Sequence, residues 1–148
     1  CCYVEGGPMI TCTRRVQFCA GHRVMGHENC CARIHGHNFV ALFTAHAALD
    51  TVGRVIDFSV LKDKLGGWID RNWDHGFIAF EKDVEVVKAV SLVASSRLFL
   101  LPVNPTSENL ADYLLTVVCP LELEGTGVTV IKVVLYETEN CHSEATIE

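Results

Sequence analysis

Apolar and polar positions alternate along residues 9–22. Ile10, Cys12, Val16, Phe18, Ala20 and His22 share one parity, with Arg14 as the polar exception. Side chains of an extended strand alternate faces, so this pattern predicts a first strand with His22 at the end of a largely apolar face. Residues 23–34 contain Gly26 and Asn29, lose the alternation and read as an irregular excursion. Residues 35–49 read as a second strand, apolar on both parities after Asn38, and residues 50–53 as a turn. An antiparallel return of the second strand onto the first brings His22 close to His35 and His37.

The period then changes. Leu61, Leu65, Trp68, Ile69 and Asn72 recur at helical spacing after a cap at Asp57 or Ser59. Gly66 and Gly67 weaken that helix, since each glycine costs about 1 kcal/mol against alanine in a helix interior. Residues 72–76 form a polar corner. Residues 84–94 fit a short helix despite their β-branched valines, and residues 97–103 a short apolar strand. Thr106 is placed as the N-cap of another helix, with Glu108 in its first turn and an end near Val118, before Pro120. After a turn at 124–127, residues 128–137 form a last strand, with Thr129, Ile131, Val133, Leu135 and Glu137 on one face. The order predicts an α+β fold, an antiparallel sheet with helices on one face, and one domain spanning residues 1–148.

The composition narrows the function. The 148 residues are 49% hydrophobic and 20% charged, and are long enough to bury a core. A formal charge of −6 argues against a nucleic-acid or anionic-membrane surface. No apolar run approaches a membrane span, and no signal-peptide pattern is seen. There are eight cysteines, but Cys1–Cys2 and Cys30–Cys31 are adjacent pairs and Cys12 and Cys19 sit within a strand pattern. They read as reduced thiols, mostly buried, in a cytoplasmic protein.

The densest chemistry lies between Phe18 and Asn38, which holds four of the seven histidines. His35 and His37, two apart on a strand, point the same way, and His22 supplies a third imidazole from the neighbouring strand. Three neutral imidazoles leave one tetrahedral zinc position open, which is the catalytic arrangement rather than the structural one. Cys31 stands four residues before the pair as a base or nucleophile, its thiol pKa lowered by a nearby cation and Arg33, although Cys30 competes for that role. Asp74–His75 reads either as a carboxylate orienting an imidazole or as a polar helix end. Glu137 reads either as an edge carboxylate or as an anchor for a ligand with paired N–H donors. His27, His46 and His142 read as ordinary polar residues.

Several segments occur together and in order: Phe18-Cys19-Ala20-Gly21-His22-Arg23, Cys31-Ala32-Arg33-Ile34-His35-Gly36-His37-Asn38, Asp57-Phe58, Asp74-His75, Asn104-Pro105-Thr106-Ser107-Glu108 and Tyr136-Glu137-Thr138. This series resembles the 6-pyruvoyl-tetrahydropterin synthase family, which includes the bacterial 6-carboxytetrahydropterin synthases of queuosine biosynthesis. The resemblance covers residues 10–138. It implies a T-fold, in which trimers join their strands into a barrel and two trimers make a homohexamer with sites at subunit interfaces.

Carried over by position, the resemblance implies His22, His35 and His37 as Zn2+ ligands and Cys31 as the catalytic thiol. It also implies Asp74 and His75 as partners in proton transfer, Glu137 as the pterin anchor, and Thr106 near the pterin. Arg23 and Arg33, the basic residues nearest the motif, are expected to contact the triphosphate. Three residues separate Cys31 from His35, the spacing associated with the carboxy-forming branch, whereas the pyruvoyl-forming branch has a longer spacer. Ala32 stands where a folate-linked group carries glutamate. The doubled Cys30–Cys31 and an insert near residues 81–101 depart from the family pattern.

The implied reaction converts 7,8-dihydroneopterin triphosphate to 6-carboxy-5,6,7,8-tetrahydropterin with release of acetaldehyde and triphosphate. Formation of 6-pyruvoyl-tetrahydropterin is the alternative. A non-catalytic pterin-binding module and a structural zinc site closed by Cys30 or Cys31 are the readings from other classes.

Overall fold

A computed structural model describes residues 6–93 and 96–147. Its centre is the long hairpin of β1 (Thr11–His22) and β2 (His35–His46), paired antiparallel from Thr11 opposite His46 to His22 opposite His35. The alternation of the first strand holds: Val16, Phe18, Ala20 and His22 are buried while Arg15 and Gln17 are exposed. On β2 the inner face is Phe39, Ala41, Phe43 and Ala45.

The helices cover this inner face. The first, α1, runs continuously through Phe58–Leu61, a π-helical stretch Lys62–Gly66 and Gly67–Asn72. Asp57 caps it, accepting from Ser59 N–H at 2.8 Å. The two glycines do not break it. Gly66 is where the helix closes on β1, and a Cβ there would already touch Val16 at 3.7 Å. Leu61, Leu65 and Ile69 pack with Phe18, Phe39 and Phe43 in one core, each large side chain contributing about 1.5–3 kcal/mol of burial.

From α1 the chain returns through β3 (Gly76–Phe80), which runs parallel to β1 beside Ala20, Gly21 and His22. Then follow α2 (Val84–Ser91) and β4 (Leu98–Leu101), which is parallel to β3. Ala94, the predicted end of α2, lies outside the described residues, as do Cys1 and Cys2. The next helix, α3, comprises Ser107–Tyr113, a π-helical stretch Leu114–Val118 and Cys119–Glu122, and leads to β5 (Thr129–Thr138) and β6 (Cys141–Thr146). The sheet order is β4-β3-β1-β2-β5-β6.

The structure corrects the expected pattern in three places. The sheet is mixed rather than antiparallel, because helical crossovers bring the chain back to β3 and β4 in the same direction. The third helix passes through Pro120. The π-helical stretch before it widens the turn, with Cys119 N–H bonding to Leu114 O, so the missing proline donor falls where the ladder is already shifted. On β5 the register shifts opposite Thr44 and Ala45, so the inward row is Val130, Val133, Leu135 and Glu137, without Thr129 and Ile131.

One consequence concerns edges. Because β3 pairs only with residues 20–22 of β1, residues 11–19 have no strand on that side among the described residues. The terminal strands β4 and β6 each have one further free edge.

Candidate metal centre

The hairpin register places His22 opposite His35, with His37 opposite Ala20 on the same inner face. The three imidazoles close into a cluster whose ligand nitrogens all lie within 4.8 Å of one another. Their ring centroids are 4.6, 5.2 and 4.8 Å apart, and Phe39 packs edge-on beneath His22 and His37. Gly36 between the two histidines is favoured by close approach, since a Cβ there would meet the Ala20 carbonyl oxygen at 3.0 Å.

Hydrogen bonds at the back of the rings fix the tautomers. His22 Nδ1 donates to Pro105 O and His35 Nδ1 to Arg33 O, both at 2.7 Å. A carbonyl only accepts, so each proton sits on Nδ1 and each Nε2 turns a lone pair to the centre. These two Nε2 atoms are 3.1 Å apart. Glu137 Oε1 lies 3.3 Å from His22 Nε2 and 3.6 Å from His37 Nε2. His37 Nε2 is buried without a hydrogen-bond partner.

Two imidazole lone pairs and a carboxylate oxygen thus converge beside the unpartnered His37 Nε2, an arrangement that a cation would satisfy. Imidazole nitrogens at about 2.0–2.1 Å from a tetrahedral zinc stand about 3.3 Å apart, close to the spacing of His22 and His35. Burial pushes the His22 pKa down to about 4 against the Pro105 bond, with His35 and His37 adding to the shift. Burial also lowers His37, opposed by Glu137. Neutral imidazoles are what a metal needs.

Cys31 lies in a short 3-10 turn, Cys30–Ala32, and lines a cleft of about 250 Å³ with Thr106, Glu108 and Glu137. Thr106 caps α3, its hydroxyl accepting from Asn109 N–H at 3.2 Å. The cleft therefore joins Cys31, Thr106 and Glu137, and Glu137 reaches from it to the metal cluster. The Cys31 thiol does not show the lowering expected from Arg33. Burial pushes its pKa up, and Cys30, Glu137 and Glu28 push the same way, with no opposing contribution from Arg33.

Asp74 and His75 are not in this cleft. Asp74 Oδ2 accepts from His75 Nδ1 at 2.9 Å and Oδ1 from Cys19 N–H at 3.0 Å. Burial raises the Asp74 pKa, yet the bonds from Cys19 and His75 hold it below its ordinary value. His75 has φ of 55°, a left-handed backbone that costs a non-glycine residue about 1 kcal/mol. Its side chain is 80% exposed. It borders a depression lined also by Cys19, Ala20, Gly21, Gly36, His37 and Asn38, none of which lines the Cys31 cleft.

Arg23 is committed elsewhere. It makes a two-pronged pair with Asp83, at 2.6 and 2.5 Å, and Asp83 is buried and caps α2. Arg33 is exposed, makes no ion pair among the described residues, and serves the site through its carbonyl.

The six described cysteines are all free, and Cys119 alone is fully buried, its thiol pushed up to about 12 by burial. The expectation of mostly buried thiols is therefore too broad, because Cys30 and Cys141 are exposed.

Pro105, Asn104 and Asp83 escaped the sequence reading. Pro105 acts through its carbonyl, which no side-chain motif reports. Asn104 clamps the loop before Cys31, accepting from Met25 N–H and donating to Met25 O, each at 2.9 Å. The available signal was the Asn104–Glu108 run, which reads as a helix start and carries part of the family resemblance but gives neither Asn104 nor Pro105 a role.

Comparison with known proteins places the chain among pterin synthases by sequence and fold. The 6-carboxy-5,6,7,8-tetrahydropterin synthases of Rickettsia bellii (strain RML369-C) and Rickettsia felis (strain ATCC VR-1525 / URRWXCal2) are each 39% identical over 137 residues, covering 92% of this chain and 99% of theirs. Among solved structures, Caenorhabditis elegans 6-pyruvoyl tetrahydropterin synthase superposes with a TM-score of 0.67 at 24% identity, covering 95% of this chain and 97% of that one. An uncharacterized protein from Wolinella succinogenes reaches a TM-score of 0.80 at 21% identity, over 96% and 100%.

Fold and site together define a T-fold protein with a three-histidine cluster suited to a metal. The model of the family described as 6-pyruvoyl tetrahydropterin synthase matches residues 11–148. The chain belongs to that family.

Proposed function

We propose that this protein is a zinc-dependent lyase that converts 7,8-dihydroneopterin triphosphate to 6-carboxy-5,6,7,8-tetrahydropterin, releasing acetaldehyde and triphosphate. The observation that carries the reading is the meeting of Cys31, Thr106 and Glu137 in one cleft, from which Glu137 reaches to 3.3 Å from His22 and 3.6 Å from His37. The names of the Rickettsia relatives and the three-residue spacing between Cys31 and His35 support the carboxy-forming reaction over the pyruvoyl-forming one.

His22, His35 and His37 would hold the zinc, which supplies Lewis-acid polarisation of the substrate's side-chain oxygens. Glu137 accepts the paired N–H groups of the pterin and sets the side chain beside the histidines. Thr106 borders the same pocket. Cys31 takes or relays a carbon-bound proton. His75, held by Asp74 through Nδ1, keeps Nε2 free to exchange a proton.

Because His75 faces away from the cleft of its own chain, we assign it to the site of a neighbouring subunit. The unpaired edges of β1 and β6 support such an assembly, since joining them between copies removes both. The expected assembly is a homohexamer built as a dimer of trimers. Among the described residues no helix is long and apolar enough to cross a membrane; we place the enzyme in the cytoplasm.

Mass spectrometry of the products from zinc-loaded protein and 7,8-dihydroneopterin triphosphate tests this. A carboxy-tetrahydropterin with acetaldehyde is expected. A pyruvoyl-tetrahydropterin would move the enzyme to the other branch, and unchanged substrate would favour a binding module.

A further inference from the structure

Two imidazoles outside the metal cluster also line the cleft: His27, from the loop before Cys31, and His142, from β6. His27 Nδ1 accepts from Asn29 N–H at 2.9 Å, so the neutral ring carries its proton on Nε2 and offers a donor there. The loop that holds it is closed by Val24 N–H to Cys31 O at 2.8 Å and by His27 N–H to Val24 O at 3.2 Å. Asn104 clamps the same loop through Met25. His142 is held differently. Its ring stacks on Tyr136, with centroids 4.6 Å apart and planes tilted by 38°.

These two rings sit toward the solvent, His27 half-buried and His142 exposed, whereas Glu137 reaches inward to His22 and His37. Among the described residues no lysine or arginine lines the cleft; its charged groups are the carboxylates Glu108 and Glu137. A phosphorylated pterin brings several negative charges to this carboxylate-bearing pocket. Phosphoryl oxygens accept hydrogen bonds and need donors in return. Arg23 is locked to Asp83. The N–H groups of His27 and His142 are the ring donors at the outer part of the cleft.

We infer that His27 and His142 grip the phosphoryl oxygens of the substrate's polyphosphate tail while Glu137 holds the pterin at the floor. This inference rests on the pterin reading above and adds a tail subsite to it.

The test is calorimetric binding of 7,8-dihydroneopterin triphosphate and of unphosphorylated 7,8-dihydroneopterin to zinc-loaded protein, with Cys31→Ala as the parent to stop turnover. His27→Ala and His142→Ala should each weaken the triphosphate by about tenfold or more, as expected for a lost bond to a charged group. Both should leave the unphosphorylated pterin and the zinc content unchanged. His27→Gln, which keeps an amide N–H near the Nε2 position, should recover much of the loss. Equal weakening of both pterins, or of neither, overturns the tail assignment while the pterin site stands. A parent protein that binds neither pterin overturns the pterin reading and the tail subsite with it.

Discussion

His22 belongs to β1, and His75 hangs from the same strand by its backbone N–H to Cys19 O at 2.7 Å. Their surroundings differ sharply. His22 is buried, its Nδ1 is fixed by Pro105, and two further imidazoles of the same chain face it. His75 is exposed, oriented by Asp74 and strained in its backbone, with an open depression before it. The first site has all its parts in one chain. The second is a prepared donor and acceptor pair for which we propose a counterpart in another copy. Burial and second-layer hydrogen bonds build a metal site, while an exposed, pre-oriented side chain suits delivery to a neighbour.

Substitutions separate the two regions most strongly. His35→Ala removes one of three ligands and should abolish both stable zinc binding and turnover, read by metal analysis and product formation. Zinc retained at full stoichiometry would contradict the assigned triad. Cys31→Ala and His75→Ala should each keep full zinc content while turnover drops by about 10²–10⁴. Loss of zinc in His75→Ala would mean that the two regions are not separate.

A pH series sharpens the contrast more gently. The folded pKa of His22 is about 4 against an ordinary 6.5. Between these values the unfolded chain binds more protons, so this contribution to stability is complete above about pH 6.5 and is lost as pH falls toward 4. It amounts to about 3 kcal/mol for metal-free protein. Urea unfolding at pH 7 and 4.5 should show the loss, and His22→Gln should reduce it. An unchanged slope in that variant would remove His22 as the source. The smallest effect is expected for Thr106→Ala, which deletes the cap of α3 and should cost about 1 kcal/mol. Urea unfolding at neutral pH measures it.

Much of the inner face was readable before any coordinates. The parity of Phe18, Ala20 and His22 follows from a two-residue period, and the pairing of His22 with His35 needs only an antiparallel return. Asp57 and Thr106 announce their helices by capping chemistry. β3 was missed because Gly76–Phe80 is a short apolar run with no alternation, and its parallel partner lies 56 residues earlier in the register of Ala20 with Gly76. β6 was missed because Cys141–Thr146 is a polar edge strand that borrows its conformation from β5. The bulge on β5 depends on tertiary register, so parity placed Ile131 inside where Val130 belongs. At the site, the metal motif and its shared face were legible, but the place of Asp74 and His75 relative to it was not. Nothing in Asp74–His75 reports that it points away from Cys31, and nothing near Arg23 announces Asp83.

The most direct test of the account is complementation between two inactive variants. Zinc-loaded Cys31→Ala and His75→Ala would be mixed, dissociated and reassembled, then assayed with 7,8-dihydroneopterin triphosphate. Sites shared between chains predict that the mixture regains activity that neither variant has alone, because some sites receive an intact Cys31 from one chain and an intact His75 from another. A mixture confirmed by mass to contain both chains in one assembly, yet as inactive as its parts, would contradict the shared site.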